Sequence, residues 1–161
     1  MVVRLCREGD FYSVMKIYEN ARSFMRKNGN PDQWGNSYPS DDLIKNDIDN
    51  KKLYAVVDND KICGVFYFSI GTDKTYIEIE DGKWLNNDEY GVIHRIASDG
   101  KTKGILSCAV SYCSRFVSNI RIDTHKDNIV MQNALVKNGF IRCGIIRIED
   151  GSPRIAYQKV I

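Results

Sequence analysis

The chain has 161 residues, 43% of them hydrophobic and 27% charged, with a net charge of +2. That length predicts one domain, residues 1–161, whose core needs no disulfide or metal staple. The near-neutral charge and the lack of long basic runs or membrane-length apolar stretches argue against nucleic-acid and membrane partners.

In chain order, Val2 to Cys6 reads as an opening strand. Phe11, Val14, Met15, Tyr18, Ala21 and Met25 then recur at helical spacing until Asn28-Gly29-Asn30-Pro31 stops the helix. The loop Gln33 to Tyr38 carries two large aromatics, Trp34 and Tyr38. Ser40, followed by Asp41 and Asp42, starts a second helix through Ile48. Leu53–Val57 and Ile62–Ile70 form a hairpin across Asp58 to Lys61. Tyr76 to Glu80 alternates as a short strand, and Gly82 to Glu89 is a polar connection containing Trp84.

A buried strand, Val92 to Ala97, comes next, then a polar turn and a helix from Gly104 to about Phe116. Asn119–Asp123 is a strand, and Asn128–Asn138 a helix closed by Gly139. Phe140–Ile148 and Pro153–Val160 make a final hairpin. This order predicts an α+β fold, a mostly antiparallel sheet flanked by helices with one parallel crossing at its centre.

The turn Lys101-Thr102-Lys103-Gly104 precedes helix amides that have no intrahelical partner. Those amides, the helix dipole and two lysines together suit an anion such as a cofactor phosphate, and glycine permits a close approach. The alternative is a solvated lysine turn. The five cysteines form no Cys-x-x-Cys pair and read as reduced packing residues of a cytoplasmic protein. Two histidines without zinc-type spacing predict no metal site.

Lys101-Thr102-Lys103-Gly104-Ile105-Leu106 resembles the Arg/Gln-x-x-Gly-x-Gly/Ala cofactor turn of the GNAT superfamily of acyl-CoA-dependent N-acetyltransferases, with Lys in the first position and Leu in the last. Asn128, Leu135 and Gly139-Phe140 follow the spacing of that family's next helix. The Ile-His-Arg-Ile-Ala strand, the Asp-Thr-His segment and the Asp-Gly-Ser-Pro-Arg ending resemble an uncharacterised bacterial subgroup. The resemblance spans the whole chain and implies a sheet of about seven strands flanked by about four helices.

It implies further that acetyl-CoA is the co-substrate. The backbone at Ile96, Ala97 and Ser98 would pair with the pantetheine arm. Lys101, Thr102, Lys103, Gly104 and Ile105 would hold the pyrophosphate, and Asn128 would reach the cofactor amides. For Asn128 the alternative is a simple helix-start residue.

The implied reaction is direct attack of an amine on the thioester, with coenzyme A leaving as thiolate. Where the family often carries an acidic tyrosine this chain has Leu135, which leaves Tyr90, Tyr157 or water as proton donor, or an unassisted thiolate. Candidate bases are Glu78, Glu80, Asp81 and His94, with His125 weaker; the alternatives are a structural histidine held in its strand for His94 and a turn residue for His125. Glu78 and Glu80 share a face if their segment is a strand, and the alternative is a solvated edge. His94 and Arg95 are expected on opposite faces of their strand. Trp34, Tyr38 and Trp84 are the expected acceptor-binding aromatics; otherwise they cover the core.

The expected function is therefore transfer of an acetyl group from acetyl-CoA to a small-molecule or peptide amine. The competing functions are a non-catalytic acyl-CoA-binding module and an interaction domain with no coenzyme site. Such folds are commonly homodimers, through the final hairpin or an exposed strand edge.

Overall fold

In a computed structural model covering residues 1–161, the alternating strands assemble into one seven-stranded sheet. The strands are β1 (Val2–Leu5), β2 (Leu53–Asp58), β3 (Lys61–Ile70), β4 (Gly91–Ser98), β5 (Asn119–Thr124), β6 (Ile141–Arg147) and β7 (Pro153–Val160). The helices are α1 (Phe11–Lys27), α2 (Asp41–Asp49), α3 (Ile105–Cys113) and α4 (Ile129–Lys137). Across the sheet the order is β1-β2-β3-β4-β5-β7-β6. Every neighbouring pair is antiparallel except β4 and β5, which run parallel at the centre. The predicted α+β architecture is thus present, with helix ends where the caps put them. Ser40 Oγ accepts from the Leu43 amide at 3.1 Å, and Asn128 Oδ1 from the Met131 amide at 3.0 Å.

The two faces of the sheet are covered differently. Apolar residues of α3 and Leu135 of α4 pack with Phe66, Ile93, Ile120, Ile122 and Tyr157 in the largest core cluster. On the opposite face, Val14, Ile17 and Tyr18 of α1 and Ile44 and Ile48 of α2 cover Leu53, Ala55, Val65 and Ala97. Next to them, Tyr76 and Tyr90 of the connection between β3 and β4 cover Val92, Ile146 and Ala156 of the sheet.

This connection differs from the sequence expectation. Residues Tyr76 to Glu80 are not a strand; a single 3-10 turn, Lys74–Tyr76, is followed by one isolated bridge between Glu80 and Ile145. The alternation of Ile77 and Ile79 does not mark one buried face, because Ile79 packs into the Tyr76 cluster while Ile77 is exposed. No helix is long and apolar enough to cross a membrane. The five cysteines are free thiols, four of them buried, and burial pushes Cys6 up to about 12.

Two irregularities in β4 shape the centre of the sheet. β4 and β5 pair only at Gly91–Ile120 and Val92–Arg121, after which the strands part. On its other side β4 carries a bulge: Tyr67 faces His94, while Val65 faces Ala97, so Phe66 of β3 stands opposite both Arg95 and Ile96 of β4. Arg95 within that bulge has φ +51°.

Candidate active site

Where β4 and β5 part, a cleft of about 1530 Å³ opens. Its walls are the α1–α2 loop, the ends of β4 and β5, the start of α4 and the β6–β7 hairpin. Its polar centre is His94. Nε2 of His94 lies 2.7 Å from Asp73 Oδ2, and Nδ1 lies 3.8 Å from Asp123 Oδ2. Asp123 Oδ2 also accepts from the Tyr76 hydroxyl at 2.6 Å.

Asp73 is fixed in turn by the Thr75 amide at 2.9 Å and hydroxyl at 2.7 Å, and its own amide donates to Tyr90 Oη at 3.0 Å. Burial raises the Asp73 carboxyl, but the hydrogen bonds from His94 and Thr75 outweigh it and hold the group at about 2. An imidazole with one nitrogen bound to a carboxylate and the other facing a cleft is arranged to accept a proton and to stabilise the charge it gains.

Arg95, the strained residue of the bulge, is held on every side. Its Nε and Nη2 reach Asp47 Oδ2 of α2 at 3.0 and 2.7 Å, and its guanidinium lies 4.5 Å from the Tyr67 ring centre. Its carbonyl accepts from the Tyr18 hydroxyl of α1 at 2.8 Å. Regular pleating would place His94 and Arg95 on opposite faces, as the sequence predicts. Instead both lie beside Tyr67 and both line the cleft, because the bulge resets the alternation. Positive-φ residues other than glycine cost free energy and persist where their surroundings over-determine them.

The anion turn is more restricted than expected. Asp99 accepts from the Lys101 and Thr102 amides at 2.9 and 2.7 Å and from the Thr102 hydroxyl at 3.0 Å, so these groups are occupied. The free amides begin at Lys103. Gly104, at φ +83°, caps α3 without a side chain, and the first helical bond runs from Cys108 to Gly104. Amides from Lys103 to Ser107 therefore have no protein acceptor, and Lys101 and Lys103 are exposed beside them. A Cβ at Gly104 would meet only the Met1 methyl, at 3.7 Å. This arrangement fits a phosphate-bearing ligand, shifted one residue along from the sequence expectation.

The remaining candidates separate clearly. Ile96 lines the cleft, Ala97 is buried against α1 and α2, and Ser98 Oγ accepts from the Gly100 amide at 3.0 Å. The side chain of Ile105 packs against Gly64 and only its amide is free. Trp34 and Tyr38 line the cleft, Trp34 packing edge-on against Tyr18 at 5.7 Å between ring centres. Asn128 lines it too, but its side chain is used locally. Beyond capping α4, its Nδ2 donates to Gln33 Oε1 at 2.9 Å, and the same oxygen accepts from Asn30 Nδ2 at 2.8 Å.

Three expectations are corrected. Tyr157 is 3% exposed within the α3–α4 core and is not on the cleft wall, because β7 turns it toward the helices. Glu80 is exposed at the cleft rim and clamped by Arg147 at 2.9 Å, which holds its carboxyl below the usual range and makes it a poor base. Trp84 stacks on Arg121 at 4.0 Å and donates to the Tyr76 carbonyl at 2.8 Å, so it anchors the β3–β4 connection. His125 lies at the cleft end of β5, its Nδ1 accepting from the Asp127 amide at 3.0 Å.

Sequence reasoning missed Asp47, Asp73 and Asp123. Asp47 and Asp73 meet their partners only through the tertiary fold. Asp123, however, ends a strand just before a helix, where cleft residues of open sheets concentrate, and that position was readable.

No protein-family model and no curated protein matches the chain. Solved structures do. An acetyltransferase of the GNAT family from Streptococcus agalactiae is 28% identical, with 99% of this chain and 95% of that one covered at a TM-score of 0.90. A GNAT-family acetyltransferase from Bacillus cereus is 20% identical, with 99% and 96% covered at a TM-score of 0.66. A ribosomal-protein-alanine N-acetyltransferase from Brucella melitensis is 12% identical, with 100% of both chains covered at a TM-score of 0.64. The last two likenesses concern the fold alone.

Proposed function

Since the chain is a member of the GNAT superfamily, we propose that it transfers an acetyl group from acetyl-CoA to a primary amine, with His94 as general base. The observation that carries this reading is His94 at the split of the sheet, oriented by Asp73 and flanked by Asp123. The free amides from Lys103 to Ser107 and the two lysines would hold the pyrophosphate. The open edge of β4 from Ile96 to Ser98 would receive the pantetheine arm, and its amides would polarise the thioester carbonyl.

The amine enters from the α1–α2 side, beneath Trp34 and Tyr38. Asp73 and Asp123 attract it as an ammonium. Nε2 of His94 donates to Asp73, which leaves the Nδ1 lone pair free to take the ammonium proton. The amine nitrogen then bonds the acetyl carbon as the carbon–sulfur bond breaks, and the second proton that the nitrogen sheds on becoming an amide passes to cleft water or to the departing sulfur. The resulting imidazolium sits between two carboxylates that compensate its charge. Leu135 is buried and cannot protonate the sulfur, and neither Tyr90 nor Tyr157 is on the cleft wall, which leaves water as the donor or an unassisted thiolate. Leu135 is also what favours the second reading, an acyl-CoA-binding module without turnover.

Free-thiol release from acetyl-CoA with a panel of amines separates the two. His94→Gln is expected to lower kcat about 10²- to 10⁴-fold, the usual contribution of a positioned base, and to leave acetyl-CoA binding intact. Unchanged kcat in that variant would remove His94 from the mechanism.

A further inference from the structure

Arg154 is unusual in this cleft. It is 7% exposed, lines the wall and forms no ion pair with any carboxylate. Its one hydrogen bond runs from Nη1 to the carbonyl of its neighbour Pro153 at 2.9 Å. Its other nitrogens, unlike the buried Nε of Arg121, open to the cleft, where an anion can pair with them. The rest of its fork is free for a planar, two-oxygen partner, the arrangement in which arginine binds carboxylates best.

A second group stands beside it. Thr124 pairs with Ile155 across β5 and β7, so the next position along, His125, lies level with Arg154. Nδ1 of His125 accepts the Asp127 amide, which puts the ring proton on Nε2 and makes that nitrogen a donor. Burial, and then the charge of Arg154, keep His125 below its ordinary range and hence neutral. A neutral donor beside an unpaired guanidinium suits an anion.

Asp123 and Arg154 lie on the same face of the sheet, since Asp123 pairs with Ala156, two residues along from Arg154. His125 is two residues beyond Asp123, a separation of roughly 7 Å along the chain. The ammonium-attracting and anion-attracting ends of the acceptor side are therefore a few bonds apart.

On the reading that the protein is an acetyltransferase, we infer that its acceptor is an aminocarboxylate, with the amine at Asp73, His94 and Asp123 and the carboxylate at Arg154 and His125. Polyamines and simple alkylamines have no group for the second subsite and leave Arg154 unpaired.

The test is thiol release from acetyl-CoA with the standard amino acids, their carboxamides, dipeptides and spermidine. Wild type, Arg154→Gln and Arg154→Lys are compared, and acetyl-CoA binding is followed separately by thermal shift. The expected result is turnover of one or more amino acids or dipeptides, with KM for the matching carboxamide at least tenfold higher. Arg154→Gln raises KM for the acid and not for the amide, so the two converge, while kcat and acetyl-CoA binding persist. Arg154→Lys falls between. Better turnover of dipeptides than of free amino acids assigns the carboxylate to a peptide terminus.

The wild-type acid-to-amide comparison stands even if a variant fails to fold. Equal KM for acid and amide, preference for spermidine, or acetyl-CoA binding with no aminocarboxylate turned over overturns the inference and leaves the coenzyme site standing. Absence of any acetyl-CoA thermal shift overturns the parent reading, and this inference falls with it.

Discussion

Arg95 and Asp47 form a buried ion pair, Nη2 to Oδ2 at 2.7 Å, that fastens the bulge of β4 to α2. Without the bulge β4 would alternate regularly, and His94 and Arg95 would not share a wall of the cleft. The free energy stored in the φ +51° backbone of Arg95 is offset by that pair, by the Tyr18 hydroxyl and by the Tyr67 ring. A contact between a helix and a strand thus sets the geometry of the proposed reaction centre.

Replacing Asp47 tests this directly. Asp47→Asn leaves the Arg95 guanidinium buried without its counter-charge, and unfolding free energy is expected to fall by about 3 kcal/mol or more. The bulge should relax, so kcat should drop although Asp47 touches no substrate. Urea denaturation alongside acetyl-transfer assays checks both. Wild-type stability in the variant would mean that the Tyr18 and Tyr67 contacts hold the bulge without the ion pair.

Acid sensitivity should trace to Asp73. Its carboxyl is held at about 2 in the folded chain, against 3.8 when unperturbed. A depressed carboxyl stabilises the fold above the unfolded value, and that contribution is lost as pH falls through the folded one. Between about pH 4 and pH 2 the protein should therefore lose about 2 kcal/mol through this group. In Asp73→Asn the same pH interval should cost correspondingly less. Parallel pH profiles for the two proteins in urea unfolding would exclude the assignment.

At the head of α3, Gly104→Glu and Gly104→Asn should part company. Both meet the φ +83° backbone, which asparagine tolerates better, and neither Cβ meets anything nearer than the Met1 methyl at 3.7 Å. Glutamate sets a negative charge against the free amides. Wild type at a hundred times its dissociation constant for acetyl-CoA should gain about 2.7 kcal/mol of apparent stability in a thermal-shift titration. The asparagine variant should keep most of that gain and the glutamate variant should lose it; equal shifts in both would place the pyrophosphate elsewhere.

Gly144→Ala probes the attachment of the β3–β4 connection. A Cβ there would lie 2.4 Å from the Glu80 carbonyl oxygen, which bonds the Ile145 amide at 2.8 Å. The added methyl must push the segment off β6, at a cost of about 1–3 kcal/mol. The segment also carries Asp73 and Tyr76, so kcat should fall with stability. Hydrogen exchange at the Glu80 and Ile145 amides would register the detachment; unchanged protection there would count against it.

What could be read from the sequence was what is local. The caps at Ser40 and Asn128 and the turn at Gly104 each depend on residues within a few positions, and each appears where it was expected. His94 stood out because its chemistry is rare in the chain. Its setting did not: Asp73 is 21 residues away, and Asp123 lies on a strand that passes close only because β4 and β5 are parallel neighbours. Alternation also misled twice. Tyr76 to Glu80 has the period of a strand but makes a single bridge to β6 in place of a ladder, and His94-Arg95 has the period of a flat strand where a bulge intervenes. Period two reports where side chains point only if the ladder is unbroken.

The oxygen of Gln33 takes a hydrogen bond from Asn30 in the acceptor-side loop and another from Asn128 at the head of α4. Loop and helix therefore share one acceptor atom, and neither can shift without loosening the other. Traffic at the two mouths of the cleft is coupled through it. On the proposed function, a loop swung aside to admit the amine would release half of the Asn128 anchorage, and a co-substrate settled against α4 would draw the loop closed. The two reactants would then enter in a preferred order, visible in product inhibition, where coenzyme A competes with acetyl-CoA and not with the amine, a pattern that should weaken when Gln33 is replaced by leucine.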